Sequence, residues 1–502
     1  MEKKHYLFAA AILSIAGIIA AAVSTGNAGL GWGQSGRLLE GSPVPSAAAH
    51  NGEAAASPLN TTLSGLPVPA PAPEVAKLSP AQMKEDLDSL TDTLVKVHPR
   101  LIDGWTAEEQ QVIEAAYAKA DQPRTPGEFY FIADSIATLL HDAHTVLYSP
   151  TVNKYLDIPL FWSREGLVVT DKRGQLLPGD LVTDIGGRSI SELEAELSSV
   201  ISAENDIWVK ERGQSLLRTE QFLNYLGLIS DQHTVEITVM RGSQSLAQSF
   251  ELTDSSGQAE YNPFPKYNTD FTFEMDKKRS LGIFQLNSCV NSEDYKATLQ
   301  RFFNEVHTQG ITNVAVDLRN NGGGDSSVVS EFLTYTDIKE YRSFKSEIRY
   351  SPQVKQQRPG SPDHGVAVNE AEIITNALQT EYPFSGNLYV LTSPRTFSSA
   401  NMFALIVQDN KLGQLIGQAT GNKPSSYGDY LSFRLPASGI SYIVSHKKFT
   451  RPDPSRDPAS AVIPDIEAYT TARDIIDRRD AQMEKLYEVI GQNQPAAASK
   501  LN

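Results

Sequence analysis

The sequence predicts an α/β protein whose sheet domain is preceded by a small helical domain and a β-rich module. Three observations lead there. From Ser280 onward, apolar strand-like runs alternate with helical patterns, the signature of an α/β layer. Residues 79–150 carry three helix starts of the capping-box type. Between them, residues 151–255 switch to short alternating strands broken by glycine turns.

The chain opens with Lys3 and Lys4 and an uncharged apolar run from Tyr6 to Val23. That run is just long enough to span a bilayer, so residues 1–28 are expected to be a membrane anchor or a signal segment. The positive flank places the remainder outside the cytoplasm. Residues 29–78 are rich in Gly, Ala, Ser and Pro and end in PVPAPAP. Such a segment buries too little apolar area to fold and reads as a disordered tether.

In the helical domain, Ser79 with Gln82, Thr106 with Glu109 and Thr125 with Glu128 form the three helix starts. Pro80 and Pro126 stand at first helical positions. Behind the first start, Met83, Leu87, Leu90, Leu94 and Val97 share a face; behind the third, Phe129, Ile132, Ile136 and Leu139 do. That third helix runs into HDAHT, residues 141–145.

The β-rich module holds strands near Gly166 to Thr170, Leu181 to Ile185 and Val235 to Met240, and the string LPGDLVTDIGGRSI. A helical insertion with Ile207, Val209, Leu216, Leu217, Phe222 and Leu226 interrupts it. The pattern fits a peptide-binding module of PDZ type or another small β domain. The α/β domain, 256–491, follows a weakly patterned join. It contains LGIFQL, a helix from about Ser292 to Thr308, NVAVDL, and a strand at Leu388 to Leu391. An antiparallel pair at Tyr430 to Leu435 and Ile440 to Val444 and one helix from Ala472 to Ile490 close it, and 492–502 are a disordered tail.

Composition narrows the function. The 502 residues, 40% hydrophobic and 21% charged, suffice for two or three cores. A net charge of −16 without clustered Lys and Arg argues against nucleic acid as a partner. The lone Cys289 rules out a disulfide within the chain and a Cys-rich zinc site, and packing is its expected role. With no HExxH, Walker loop or GxGxxG, nothing calls for a metal or other cofactor.

Two loops follow strands of the α/β domain, where ligand sites of such sheets lie. The first, RNNGGG at 319–324, supplies three glycines whose backbone N–H groups can approach a substrate oxygen closely. The second, RTFSSANM at 395–402, places Ser398 and Ser399 in a strand-to-helix turn. Ser is a preferred N-cap, and the same turn also exposes a nucleophile. A serine hydroxyl needs a base, and His144 and Lys423 are the candidates.

These motifs resemble the S41 family of serine peptidases, the C-terminal processing or tail-specific proteases and their tricorn-core relatives. VDLRNNGGG (316–324) and RTFSSAN (395–401) carry the resemblance, PDI at 464–466 supports it, and HDAHT looks like the family's upstream Asp-x-His motif. The resemblance implies a ClpP/crotonase-like core with a PDZ-like domain and a helical N-terminal domain, and peptide or unfolded protein as substrate. It also implies two catalytic variants. In one, Ser398 pairs with Lys423, 25 positions on (423 − 398), with Asp409 as a supporting acid. Asn401 and Pro424 depart from that pattern. In the tricorn-like variant, His144 is the base and Asp457, or Asp453, its acid. HDAHT and SSAN are closer to the second, which makes the expected enzyme a Ser/His endopeptidase anchored outside the cytoplasm. Its oxyanion hole would come from Gly323, Gly324 and Ser399. The alternatives are the Ser398/Lys423 dyad and, in another class, a non-catalytic envelope protein that binds peptide on the same fold.

Overall fold

The computed structural model describes residues 76–150, 154–254, 262–264 and 268–493. The apolar run Tyr6 to Val23, the tether up to residue 75 and the last residues lie outside that set. Among the described residues no helix is long and apolar enough to cross a membrane.

Three helices come first: α1 (Pro80–Val97), α2 (Ala107–Lys119) and α3 (Pro126–Ala137). Each begins with a reciprocal capping box, from Ser79, Thr106 and Thr125, so two otherwise orphaned N–H groups are satisfied at every start. Leu87, Leu90, Leu94 and Phe129 are buried, which fixes the helices to one another and to the strands that follow. After α3, His141 takes a left-handed conformation that turns the chain into β1 (Val146–Leu147).

A seven-stranded antiparallel sheet follows, from β2 (Lys154–Leu156), β3 (Leu160–Ser163), β4 (Gly166–Val169), β5 (Leu181–Ile185), β6 (Arg188–Ser189), β7 (Thr234–Arg241) and β8 (Gln244–Asp254). Its order is β2-β8-β7-β5-β4-β3, with β6 beside β5. Three helices are inserted between β6 and β7: α4 (Ile190–Val200), α5 (Asp206–Leu216) and α6 (Glu220–Tyr225).

The central sheet runs β20-β17-β16-β11-β10-β9. It is built from β9 (Phe271–Asp276), β10 (Leu281–Leu286), β11 (Asn313–Asp317), β16 (Asn387–Thr392), β17 (Gln414–Gly417) and β20 (Ile466–Glu467). All pairs are parallel except the edge pair β9–β10. Because helices cover both faces, β10 and β11 are buried along their whole length and show no polar alternation. On one face pack α7 (Glu293–Thr308), α8 (Ser327–Leu333) and α10 (Ser399–Asp409), with Phe284, Phe302, Phe332 and Phe403 in edge-on contact. Each such ring contributes about 1.5–3 kcal/mol by burial.

On the other face lie Met483, Leu486 and Ile490 of α12 (Ala481–Asn493). The last helix is thus two, α11 (Ala472–Asp477) and α12, separated where Arg478 turns left-handed. Asp480 explains the break: it caps Met483 N–H and accepts from the buried Arg319 guanidinium at 2.6 Å. A continuous helix would place that carboxylate elsewhere and leave Arg319 short of a partner.

A further sheet joins β1, β13 (Lys345–Tyr350), β14 (Gly365–Asn369), β18 (Ser426–Arg434) and β19 (Ser441–Thr450). Pairing of Val146 with Ile443 ties the segment after α3 to the pair β18–β19. The short pair β12 (Glu340–Arg342) and β15 (Ile373–Thr375) and helix α9 (Pro352–Gln357) complete the strands and α-helices among the described residues.

Candidate active site

The carboxyl ends of β11 and β16 lie side by side, with Asp317 opposite Leu391. The loops that follow them are bonded together. Phe397 N–H donates to Asn321 O at 3.0 Å, Ser393 Oγ to Arg319 O at 2.6 Å and Thr396 Oγ1 to Leu318 O at 3.0 Å. Arg319 is fully buried between Asp317 and Asp480 and over the Phe264 ring. Those two carboxylates outweigh the burial that disfavours its charge, so the guanidinium stays ionised.

Ser398 stands at the N-cap position of α10, yet its side chain caps nothing. Its backbone is at φ 53°, ψ −124°, a conformation that costs a non-glycine residue about 1–3 kcal/mol. Ser398 N–H donates to Asn422 Oδ1 at 3.0 Å. Such strain at a strand-to-helix turn, held by surrounding bonds, is what a nucleophile elbow requires. Ser398 Oγ makes no hydrogen bond among the described residues, to either candidate base.

The glycine loop closes on this turn. A Cβ on Gly323 would lie 2.5 Å from Ser398 Cβ and 3.0 Å from Ser399 N, so only glycine lets the two loops meet this closely. Gly323 N–H itself donates to Asn321 Oδ1 at 2.8 Å. Among the described residues Gly324 N–H and Ser399 N–H have no acceptor, and Ser399 Oγ binds Gly324 O at 2.6 Å, tying the two together. An anion beside Ser398 would meet these two free donors, whereas Gly323 N–H is already committed.

His144 is brought to the same place from the first helices. In HDAHT, Asp142 Oδ1 accepts His144 N–H at 2.9 Å, and Oδ2 accepts Thr145 Oγ1 at 2.7 Å and faces His98 Nε2 at 3.1 Å. The His144 ring packs on Phe397, the residue before Ser398, with centroids 4.5 Å apart. Phe397 in turn stacks on Trp208 of α5 at 4.4 Å. Both ring nitrogens of His144 are buried and have no partner among the described residues, with Nδ1 3.8 Å from Asp142 Oδ1. Burial pushes the imidazole below its ordinary value, against the opposing charges of Asp142 and Asp429. Asp142 itself is held ionised and far below the usual carboxylate range: its bond to His98 and the charges of His98 and His144 overcome the burial that would raise it.

The other candidates lie differently. Asp457 accepts from Ser425 Oγ and sits 4.0 Å from Arg451. Asp453 caps the turn at Ser455. The buried Asp409 takes a two-pronged bond from Arg451, at 2.9 and 2.6 Å, and another from Arg456. These three acids belong to one arginine cluster, while the acids around His144 are Asp142, Asp429 and Glu204. Lys423 is part-exposed, its carbonyl accepts from Asn401 Nδ2 at 3.3 Å, and its ammonium forms no ion pair among the described residues. Burial raises the Cys289 thiol to about 12, so it packs and does not react.

Asn422 and Glu204 were not apparent from the sequence. Glu204 lies in the turn between α4 and α5, and no local pattern links it to a loop 218 positions away (422 − 204). The insertion also reaches the catalytic loops through Arg395 with Glu211 at 2.6 Å and Asn205 Nδ2 with Ser460 O at 2.7 Å.

A half-buried, strained serine beside N–H donors that have no acceptor among the described residues, on loops at the carboxyl ends of parallel strands, is the arrangement of a serine-type peptidase. Residues 280–468 match the model of peptidase family S41, which supports a serine-type peptidase. Among solved structures, mature CPAF is similar at 14% identity and a TM-score of 0.58, over 83% of this chain and 99% of that chain. Mature CPAF complexed with lactacystin gives the same identity and TM-score over 82% and 98%. The photosystem II D1 C-terminal processing protease matches at 15% identity and a TM-score of 0.42, over 82% and 98%. At 14% identity the two CPAF structures bear on the fold alone. No curated protein matches the sequence.

Proposed function

We propose that the chain is a serine endopeptidase in which Ser398 is the nucleophile and His144 the general base. The observation that carries this reading is the strained Ser398 turn, uncapped by its own side chain and flanked by the N–H groups of Ser399 and Gly324, which have no acceptor among the described residues. Ser398 Oγ attacks the scissile carbonyl carbon as His144 takes the hydroxyl proton. The tetrahedral oxyanion is held by Ser399 and Gly324 N–H, each worth about 3 kcal/mol where such donors have been removed elsewhere. The imidazolium returns its proton to the leaving amine, and water then hydrolyses the acyl-enzyme through the same base. Asp142, facing Nδ1, stabilises the imidazolium and leaves Nε2 for the serine. Asp142 thus takes the place expected of Asp457 or Asp453, whose carboxylates serve Arg451 and Ser455.

The remaining parts of the reading are architectural. The seven-stranded module is read as PDZ-like, with strand β5 entered through the Gly179–Asp180 turn, and the central sheet as ClpP/crotonase-like. Residues 79–150, 151–255 and 256–491 are the helical, PDZ-like and catalytic domains. The extracytoplasmic, membrane-anchored location rests on the Lys3, Lys4 and Tyr6–Val23 segment alone. Hydrolysis of a quenched-fluorescent peptide by the wild type, abolished in a folded Ser398→Ala, supports the reading; equal turnover by both contradicts it.

A further inference from the structure

The insertion between β6 and β7 reaches the candidate active site. Asn422 uses both ends of its amide: Oδ1 accepts the Ser398 N–H at 3.0 Å and Nδ2 donates to Glu204 Oε1 at 3.2 Å. The second oxygen of Glu204 is buried and has no partner among the described residues. One oxygen of Glu204, one of Asp142 and one His144 ring nitrogen lie within 4.8 Å of one another. A single carboxyl therefore touches the amide that holds the nucleophile's backbone and faces the base. We propose that Glu204 is a positioning residue of the peptidase centre, orienting Asn422 on the Ser398 N–H and setting the distance between the Ser398 turn and the His144 ring. The proposal rests on the Ser398/His144 reading above.

The physical reason is rotational. An amide side chain flips between two nearly isosteric states, and in the wrong one Asn422 would present Nδ2 to the Ser398 N–H, donor against donor. Glu204 Oε1 accepts only from Nδ2, so it selects the productive state. Burial, and next the negative charge of Asp142, raise the Glu204 carboxyl well above its usual range; the Ala143 N–H and the Asn422 amide offset this only in part. In either protonation state Glu204 keeps an oxygen that can accept from Asn422 Nδ2. Trp208, four residues on from Glu204 (208 − 204) and within α5, stacks on Phe397, the residue before Ser398.

The test is steady-state kinetics on a quenched-fluorescent peptide with Ser398→Ala, Glu204→Ala, Glu204→Leu, Glu204→Gln, Asn422→Ala and the Glu204→Ala/Asn422→Ala pair, with folding checked by circular dichroism. Glu204→Ala is expected to lower kcat by about tenfold or more with KM within about twofold. Glu204→Gln, which keeps an acceptor, restores kcat to within about threefold of wild type. The double variant is no slower than Asn422→Ala alone, because both remove one coupling. Wild-type kcat in folded Glu204→Ala or Glu204→Leu, or additive losses in the pair, overturns the proposal. Where neither Glu204 variant folds, Asn422→Ala decides, and an unchanged kcat overturns it. Turnover surviving Ser398→Ala would remove the peptidase reading itself, whereas loss in Ser398→Ala beside a wild-type Glu204→Ala removes this inference alone.

Discussion

Substituting Gly323 by alanine tests how closely the glycine loop and the Ser398 turn are fitted. The new Cβ would stand 2.5 Å from Ser398 Cβ, 3.0 Å from Phe397 O and 3.0 Å from Ser399 N. Carbon atoms rest about 3.5–4.0 Å apart, so one partner must move by about 1 Å. The glycine loop has little room, since Asn321 receives its Gly323 N–H and Gly324 O receives the Ser399 hydroxyl. The Ser398 turn therefore yields, and a misplacement of about 1 Å costs about 100-fold in kcat. Gly323 also sits at φ +105°, which adds about 1–3 kcal/mol of strain to an alanine there. The control is Gly310→Ala: φ is +62° and nothing lies within 4 Å of the added carbon. It should lose about 1 kcal/mol of stability and no activity. Peptide hydrolysis and urea unfolding of both variants give the comparison. Folded Gly323→Ala with kcat within about threefold of wild type would refute the reasoning.

Other outcomes follow from the same geometry. His144→Ala should lower kcat/KM by about 1,000-fold or more while Lys423→Ala stays within about threefold; the opposite pattern favours the lysine dyad. Because burial lowers the His144 imidazole, the acid limb of kcat/KM should have its midpoint below about 6.5, activity being lost as pH falls through it. Arg319→Met leaves Asp317 and Asp480 without their shared cation and should cost about 3–5 kcal/mol in urea unfolding. Asp134, on α3, is raised to about 7 by burial, against the Leu147 N–H and Tyr130 hydroxyl that favour its charge. Its folded value exceeds its unfolded one, so its contribution to stability is full below about pH 4 and is lost towards pH 7, at about 1.4 kcal/mol per pH unit. Asp134→Asn should remove that slope and be the more stable protein at pH 8, as thermal unfolding between pH 4 and 8 will tell.

Much of the scaffold was legible because its signals are local. The capping boxes at Ser79, Thr106 and Thr125 are all present, the strands around Leu181 and Leu388 stand where apolar runs put them, and Leu431 pairs with Val444 in the closing antiparallel pair. The break at Arg478 was not legible, since it depends on Asp480 reaching Arg319, 161 positions away (480 − 319). The strands at 340–350 and 365–375 are half-exposed and short, so their pattern resembles loop. At the site, RNNGGG and RTFSSANM announced themselves by composition, but the backbone angle of Ser398, the commitment of Gly323 N–H to Asn321 and the bridge from Glu204 through Asn422 are products of tertiary contact.

The account turns on Ser398, and its most direct test is to map the site of covalent capture. The wild-type protein treated with a fluorophosphonate and digested for mass spectrometry should carry one adduct, on the hydroxyl of Ser398, and folded Ser398→Ala should carry none. An adduct on Ser399 or on any other residue, or labelling undiminished in Ser398→Ala, would contradict it.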